Sequence, residues 1–241
     1  MRRGTEQLGC VLVLGLGKSA SAVVDYCLDN LGNRVSGLFI AAGAHGESSD
    51  ALAERAQARG AAVAFGDDAV AELAAKAPQG RFDLCVPSPG ISPSQSLYAE
   101  GARLSDKVIG EVELAWLESS PASKWIAITG TNGKTTATSL TAHLLRAAGM
   151  DAVAVGNIGD VCLSAVAQNP SRVFVAETSS YQLYSTVDFA PDAAVLLNVT
   201  PDHLKWHGTF EAYRDAKLKA FANLSASPDA VAVLDATDDV V

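Results

Sequence analysis

Short apolar runs alternate with stretches of helical periodicity along this chain, and the alternation constrains the fold more than any other feature. The run "CVLVL" (10–14) precedes a helical stretch from Ala20 to Leu31, which ends at Gly32, and a second run, "VSGLFI" (35–40), follows. Strands that alternate with helices in this way are typical of a mostly parallel sheet covered by helices. The sequence therefore predicts an α/β fold.

Further apolar runs extend the pattern into two series of strands, and the chain of 241 residues has room for two ordinary domains. The remaining predicted strands are "AAVAF" (61–65), "FDLCVP" (82–87), "KVIG" (107–110), "WIAIT" (125–129), "DAVAV" (151–155), "RVFVA" (172–176), "AAVLLN" (193–198) and "AVAVL" (230–234). The pattern breaks around "WLESSPAS" (116–123). We therefore predict a Rossmann-like parallel-sheet domain at 1–116 and a second α/β domain at 117–241.

Composition excludes several classes of function. The chain carries 18 Lys and Arg against 27 Asp and Glu, a net charge of −9, which argues against a broad nucleic-acid surface. No segment approaches the roughly 20 apolar residues of a membrane span. The four cysteines, at positions 10, 27, 85 and 162, lack C-x-x-C spacing, so neither a zinc site nor a disulfide framework is indicated. A cytoplasmic protein with reduced thiols is the simplest interpretation.

The stretch "GTNGKTT" (130–136) joins the strand "WIAIT" to a helix, and this arrangement favours the binding of an anion. A helix N-terminus offers free N–H groups and the positive end of the helix dipole. Lys134 can reach the terminal phosphates of a nucleotide, and the Thr135 hydroxyl can ligate Mg²⁺. The loop is shorter than the usual P-loop, because Ile128 stands where the first glycine is expected. An ordinary glycine-rich turn is the alternative. The helix is predicted to present one face with Ala137, Leu140, Thr141, Leu144, Leu145 and Ala148.

Polar residues follow the other strands of this domain. Asn157, Glu177 and the pair Asp202 and His203 each come after an apolar run. Because ligands collect at the carboxyl ends of strands in an open α/β sheet, these side chains are predicted to face the same crevice as Lys134. Glu177 suits Mg²⁺, whereas His203 would be a less common ligand. Singly, each residue could equally be a helix cap or a solvated loop residue.

Lys217 interrupts an apolar helical stripe that includes Phe210, Tyr213, Phe221 and Leu224. Chance or snorkelling explains most such lysines. A lysine held against apolar surface nevertheless tends to lose its proton. A neutral amine can react with CO₂ to form a carbamate, which is an anionic ligand for a metal site.

The first domain opens with "VLGLGKSA", which reads G-x-G-x-x-A after a strand. This pattern alone suggests a dinucleotide fold, but the acidic residue usual at the end of the next strand is absent from "GLFIAAG" (37–43). Gly15 and Gly17 could instead serve only close packing. A dehydrogenase is therefore the weakest of the functional interpretations.

Together these motifs resemble the Mur ligase family. The stretch "GTNGKTT" fits the family's loop G-[ST]-N-G-K-[ST]-[ST], and further motifs similar to those of the family follow in order. They are "GNIG" (156–159), "ETSSYQL" (177–183) and "LNVTPDHLKWHGTFEAYRDAK" (197–217), with "SPGI" (88–91) and "VIGEVELAW" (108–116) in the first domain.

The resemblance implies roles for these residues. It implies that the loop binds ATP, through Gly130, Thr131, Asn132, Gly133, Lys134, Thr135 and Thr136. It implies that Thr135, Glu177 and His203 hold Mg²⁺, and that Lys134, His203 and a carbamylated Lys217 serve catalysis. The UDP-muramoyl substrate would contact Gly15, Gly17, Lys18, Ser19, Gly90 and Asn157.

The resemblance also implies an activity. The best-fitting member of the family joins D-glutamate to UDP-N-acetylmuramoyl-L-alanine through an acyl phosphate, a cytoplasmic step in making peptidoglycan precursors, and a monomer is expected. Because the family is about twice as long, we expect an N-terminal portion in which the ATP-binding central domain is incomplete and the C-terminal domain is absent. Two alternatives stay open: a related amide ligase of the Mur or folylpolyglutamate type, or a chain that binds nucleotide without turnover.

Overall fold

A computed structural model describes residues 2–227, 229–235 and 237 of the chain. The chain forms two compact units: one comprises Gly4–Glu111, and the other runs from Val112 onward and includes Arg2 and Arg3. The predicted division after 116 lies inside a helix, Glu111–Glu118. The closing residues of the predicted second domain, 236 and 238–241, and residue 228 lie outside the described residues. Among the described residues, every helix is too short or too polar for a transmembrane segment.

The first unit is built on a five-stranded parallel sheet. Its strands are β1 (Gly9–Leu14), β2 (Val35–Ala42), β3 (Ala62–Phe65), β4 (Phe82–Pro87) and β5 (Ser105–Val108). Their spatial order is β3-β2-β1-β4-β5, and every neighbouring pair is parallel. This is the Rossmann order without a sixth strand, and the chain reverses direction across the sheet at β1.

Helices connect these strands. They are α1 (Lys18–Asp29), α2 (Glu47–Ala58), α3 (Ala69–Ala74), α4 (Ser96–Arg103) and α5 (Glu111–Glu118), the last spanning the unit boundary. Helix α1 forms as predicted, since its apolar residues recur every three to four positions and the buried set includes Val23, Val24 and Cys27. Strand β1 is almost entirely buried, as a central strand covered on both faces must be.

The second unit contains another five-stranded parallel sheet. Its strands are β6 (Lys124–Thr129), β7 (Ala152–Gly156), β8 (Val173–Glu177), β9 (Ala193–Leu196) and β10 (Val231–Leu234). The order is β10-β9-β6-β8-β7, so the chain leaves β6 toward both sides of the sheet. Trp125 on β6 is fully buried, with its ring centroid 4.7 Å from that of Phe174 on β8. Because the chain leaves β6 toward both sides of the sheet, the carboxyl end of β6 lies at a topological switch point, where such folds bind ligands.

The helices of this unit are α6 (Lys134–Ala147), α7 (Cys162–Gln168), α8 (Ser180–Tyr184), α9 (Leu204–His207) and α10 (Phe210–Leu218). Helix α6 differs from the predicted face. Its buried residues are Thr138 and Ala142, whereas Leu140 and Leu144 are more than half exposed. Ala137 and Leu145 of the predicted face do pack against the core beside Ala142. The prediction was wrong for Leu140 and Leu144, which lie at the outer side of the predicted stripe and are exposed.

Candidate functional site

The loop between β6 and α6 depends on glycine at two positions. Gly130 has a φ of +155° and Gly133, the N-cap of α6, a φ of +83°. A side chain at Gly130 would place its Cβ only 3.0 Å from the Cβ of Leu197. Positive φ is strained for other residues, so the backbone conformation of this loop requires glycine at both positions. The helix that follows begins directly at Lys134, with its free N–H groups beside the loop.

A second segment of chain holds the loop in place. The amide of Asn132 donates to the side chain of Asn198 (2.9 Å), and the Asn198 side chain donates back to the Asn132 carbonyl (3.1 Å). The Thr131 hydroxyl accepts from the amide of Thr200 (3.0 Å) and lies 2.9 Å from the Tyr213 hydroxyl. These paired contacts, which we call the loop clamp, attach the loop to the segment after β9 and to α10.

Two lysines converge on one carbonyl of the loop. The Nζ of Lys134 donates to the carbonyls of Gly130 and Thr131, both at 2.9 Å, and the Nζ of Lys217 donates to the same Gly130 carbonyl at 2.8 Å. Lys217 is 2% exposed, and its Nζ lies 4.6 Å from the centre of the Tyr213 ring. Burial first, and then the charge of Lys134, lower the pKa of Lys217 from 10.5 to about 7. The predicted apolar setting of this lysine is confirmed.

Glu177 connects the ends of three strands. Its Oε2 accepts from the Thr135 hydroxyl and its Oε1 from the Asn157 amide group, each at 2.8 Å. The carboxylate is buried at the end of β8, where Glu177 pairs with Ile128 of β6 and Gly156 of β7. The structure thus brings together Lys134, Thr135, Asn157, Glu177 and Lys217 at one edge of the sheet.

Among the described residues, the His203 side chain makes no hydrogen bond to this group. The residue has a left-handed backbone (φ +53°), precedes α9, and presents a side chain that is 45% exposed next to Asp202. Its ring is tilted by 47° to that of Tyr181, with centroids 4.8 Å apart, and forms a T-shaped contact with Tyr213 at 6.0 Å. His203 therefore borders the loop clamp through Tyr213 rather than through Glu177.

Two contributors to the site were missed from the sequence. Asn198 lies at the end of a predicted strand and Tyr213 on an apolar helical stripe, and neither was singled out as a partner of the loop. The available signal for Asn198 was its place directly after an apolar run, the same signal that singled out Asn157 and Glu177. Tyr213 carried no such signal, because its hydroxyl reaches Thr131 only through tertiary packing.

The donor set suits a hard cation bound together with phosphates. Mg²⁺ prefers oxygen ligands, keeps several waters and usually takes one or two protein carboxylates in nucleotide sites. Glu177 supplies one carboxylate, and Thr135 supplies a hydroxyl already in contact with it. Within the described residues no group of three His, Cys, Asp or Glu side chains could hold a metal alone. The residues therefore fit a metal that is shared with a ligand, not an all-protein cage.

The first unit has its own glycine turn. Gly15 follows β1 with a φ of +84°, and an added Cβ there would lie 2.9 Å from the Ser88 Oγ, an atom buried with no hydrogen-bond partner among the described residues. Gly17 is the N-cap of α1, and Lys18 and Ser19 form its first turn. A Cβ added at Gly90 would meet open space. This turn offers a second helix N-terminus at a switch point.

The amino-acid sequence of residues 128–241 matches the family model for the Mur ligase middle domain. A UDP-N-acetylmuramoylalanine–D-glutamate ligase of Mycolicibacterium smegmatis is 39% identical over 214 residues, which cover 87% of this chain and 40% of the relative. The corresponding ligase of Streptomyces avermitilis is 43% identical over 169 residues, covering 69% of this chain and 35% of the relative. The chain thus spans well under half the length of these curated relatives.

A solved structure shares the fold. The crystal structure of UDP-N-acetylmuramate:L-alanyl-gamma-D-glutamyl-meso-diaminopimelate ligase from Neisseria meningitides matches with a TM-score of 0.53 and 17% identity. The match covers 97% of this chain and 73% of the other. The predicted fold class, two parallel α/β units, is confirmed.

Proposed function

We propose that this chain, a homologue of the UDP-N-acetylmuramoylalanine–D-glutamate ligases, supplies the UDP-substrate and ATP sites of such a ligase. The reaction would join D-glutamate to UDP-N-acetylmuramoyl-L-alanine in the cytoplasm, during synthesis of peptidoglycan precursors. The observation that carries the proposal is the clamped loop: Lys134 lies over it, and Thr135 joins it to Glu177.

The loop and Lys134 would bind the phosphates of ATP. The N–H groups at the start of α6 would face this anion, and the glycines would allow the backbone to approach it closely. The ammonium of Lys134 would move from the loop carbonyls to the phosphates and neutralise charge on the transferring group. Asn157, on the other side of Glu177, would contact the UDP-muramoyl substrate.

Thr135 and Glu177 are the residues that would hold Mg²⁺, with His203 at a second position. Bound there, the metal would neutralise phosphate charge during transfer. The chain's own contribution is orientation: Glu177 is fixed by Asn157 on one oxygen and by Thr135 on the other. A carboxylate held in this way does not need to reorganise when its ligand arrives.

The chemistry requires activation because a carboxylate is a poor electrophile. An oxygen of the L-alanyl carboxylate would attack the γ-phosphorus of ATP, forming an acyl phosphate and releasing ADP. The amine of D-glutamate would then attack the acyl carbon, and the tetrahedral intermediate would expel inorganic phosphate and lose a proton to give the amide. The protein's part in both steps is positioning and charge neutralisation.

Lys217 is a candidate for carbamylation. Its amine is buried and its pKa is lowered to about 7, so that a large fraction is neutral and nucleophilic toward CO₂ near neutral pH. Bond formation between the neutral Nζ and the carbon of CO₂, with loss of one proton from the nitrogen, would turn a neutral amine into an anion beside the loop. Mass spectrometry of intact chain trapped under ¹³C-labelled bicarbonate tests this proposal directly.

Titration calorimetry of the chain tests the proposed function. We expect saturable binding of ATP with Mg²⁺ and, separately, of UDP-N-acetylmuramoyl-L-alanine. Lys134→Ala should weaken ATP binding by about tenfold or more, the worth of a charge-assisted contact, and leave the UDP substrate unaffected. Lys124→Ala is the matched control, since Lys124 is an exposed lysine at the opposite end of β6, paired with Asp192.

The outcomes separate the competing functions. Binding of ATP alone would favour a related amide ligase with another substrate. Binding of both ligands, without phosphate release on addition of D-glutamate, would favour a chain that binds without turnover. Equal ATP affinity in wild type and Lys134→Ala would refute the assignment of the loop.

A further inference from the structure

The first unit contains a cavity of about 490 Å³ at the carboxyl edge of its sheet. Its wall includes Gly15 and Leu16 after β1, Ala42 to Ala44 at the end of β2, and Gly66 and Asp67 after β3. Gln95 and Ser96, at the start of α4, also line the cavity. A cavity of this volume is within the range that holds a small-molecule ligand.

The end of β2 offers the cavity no acidic side chain. In Rossmann-type folds an acidic residue at this point accepts hydrogen bonds from the ribose hydroxyls of the ligand. Here the position is occupied by Ala42, Gly43 and Ala44, which have no side-chain acceptor. A nucleotide in this cavity must therefore find its acceptor on another element.

Asp67 is placed to be that acceptor. The amide of Gly66 donates to the carbonyls of Ala42 (2.9 Å) and Gly43 (3.1 Å), so the segment after β3 is fastened to the end of β2. Asp67 follows directly and is the single ionisable side chain among the described residues of the cavity wall. Within the described part of the chain its carboxylate has no hydrogen bond or ion pair.

We propose that Asp67 binds the ribose of the UDP moiety, in place of the acid that β2 lacks. This inference rests on the proposed function, because it takes the first unit to bind a uridine diphosphate. With the diphosphate at the turn of Gly15 and at the start of α1, the ribose hydroxyls donate to the Asp67 carboxylate across the cavity. Asp67 then determines the preference for a ligand that carries both hydroxyls.

Discrimination between sugars follows from hydrogen-bond energetics. A bond between a hydroxyl and a carboxylate is stronger than one between neutral groups, and removing either partner forfeits it. If Asp67 contacts the ribose, removal of its carboxylate should therefore weaken binding of a ligand that has the ribose hydroxyls and leave binding of a ligand without them unchanged. A general electrostatic or structural effect gives the same change for every ligand.

The test compares two probes, UDP and 2′,3′-dideoxy-UDP, by calorimetry on the wild-type chain and on Asp67→Ala. We expect wild type to bind UDP about tenfold or more tightly than the dideoxy probe, the worth of a hydrogen bond to a charged group. Asp67→Ala should bind UDP as weakly as wild type binds the dideoxy probe, and should bind the two probes within about twofold of each other.

Asp68→Ala is the matched control. It removes the same charge one residue further on, where Asp68 is the exposed N-cap of α3 and makes no side-chain capping bond. We expect this variant to keep the wild-type preference for UDP. Circular dichroism melting of each variant shows that the first unit remains folded.

Three results would overturn the inference, and they differ in what else they refute. If wild type binds UDP and Asp67→Ala binds it equally well, only the role of Asp67 is refuted. If Asp67→Ala weakens both probes by the same factor, the residue acts without contacting the ribose. If wild-type chain, shown to be folded, binds no UDP at all, the proposed substrate of the first unit is refuted together with Asp67.

Discussion

Gly156 allows β7 to approach the backbone of β8 closely at Glu177. Its φ is +97°, and an alanine Cβ at this position would lie 2.4 Å from the backbone oxygen of Glu177. We expect Gly156→Ala to add overpacking of about 1–3 kcal/mol to the conformational strain of a left-handed alanine. Urea unfolding followed by circular dichroism measures the change in the free energy of unfolding.

Gly149→Ala separates the two effects. Gly149 has a similar φ of +83°, but nothing lies within 4 Å of the added Cβ. This variant should cost about 1–2 kcal/mol from backbone strain alone. Equal losses in the two variants would show that the contact with Glu177 is absent.

Lys217 makes the stability of the chain depend on pH. Its pKa is about 7 in the folded protein, below the ordinary 10.5, so between these values the unfolded chain binds one proton more. Stability rises with pH wherever the unfolded state binds more protons, here by up to about 1.4 kcal/mol per pH unit. The buried charge of Lys217 therefore destabilises the folded chain by its full amount below pH 7, and this destabilisation decreases as the pH rises toward 10.5.

Lys217→Met should remove this rise. The measurement is the difference in unfolding free energy between wild type and variant, from urea titrations at several pH values between 6 and 10, taken roughly one unit apart. Lys205→Met, at an exposed position of α9, serves as the control and should keep the wild-type slope. A difference that is constant across this range would contradict the lowered pKa.

At the scale of elements, the loop clamp makes the position of the loop between β6 and α6 depend on the segment that follows β9. Asn198→Ala removes both side-chain contacts to Asn132 and frees the loop to move. We expect ATP affinity to fall by about tenfold, because two hydrogen bonds of about 0.5–1.5 kcal/mol each no longer preorganise the loop. Calorimetry with ATP and Mg²⁺ measures this change.

Asn223→Ala is the control for that experiment. The Asn223 side chain also makes two bonds to backbone, with the carbonyls of Val187 and Phe189, but away from the loop. We expect a similar loss of stability without a loss of nucleotide affinity. A parallel loss of affinity in both variants would mean that the clamp acts only through overall stability.

The elements themselves were largely predictable, and the partners of the site were not. A strand such as β4 coincides with its apolar run, 82–87, because a strand covered on both faces is mostly apolar, and every residue of β4 except Asp83 is buried. Helix α6 was predicted in extent and only partly in its buried face: Leu145 packs against the core, whereas the predicted Leu140 is exposed and Thr138 is buried. The bond from Asn198 to Asn132 spans 66 residues of sequence, and no local pattern encodes it.

At the scale of the whole molecule, all four cysteines are buried and none forms a disulfide among the described residues. Burial raises the pKa of the Cys85 thiol to about 12, and the thiolate is the reactive form. We expect no reaction with a chromogenic disulfide reagent in the native state and complete reaction of the four thiols in urea. Rapid labelling of any thiol of the folded chain would contradict the structure.

The two sheets share a glycine turn at the same position in their topology. Each unit has a glycine turn after its central strand, at Gly15 and at Gly130, and each turn leads into a helix. The alternation of strands and helices was enough to predict both units from the sequence. Which side chains line each edge depends on the spatial order of the strands, and β8 lies between β6 and β7 although it follows both in the chain.

This strand order has a consequence for the timescale on which the site moves. Glu177 ends β8, yet hydrogen bonds continue beyond it on both sides: the amide of Thr178 donates to Ile128, and the amide of Asn157 donates to Glu177. The strand therefore does not fray at the residue that carries the carboxylate. Opening at Thr178 requires β8 to separate from β6, the central strand of the sheet, so the amide hydrogen of Thr178 should exchange with solvent as slowly as those of the core.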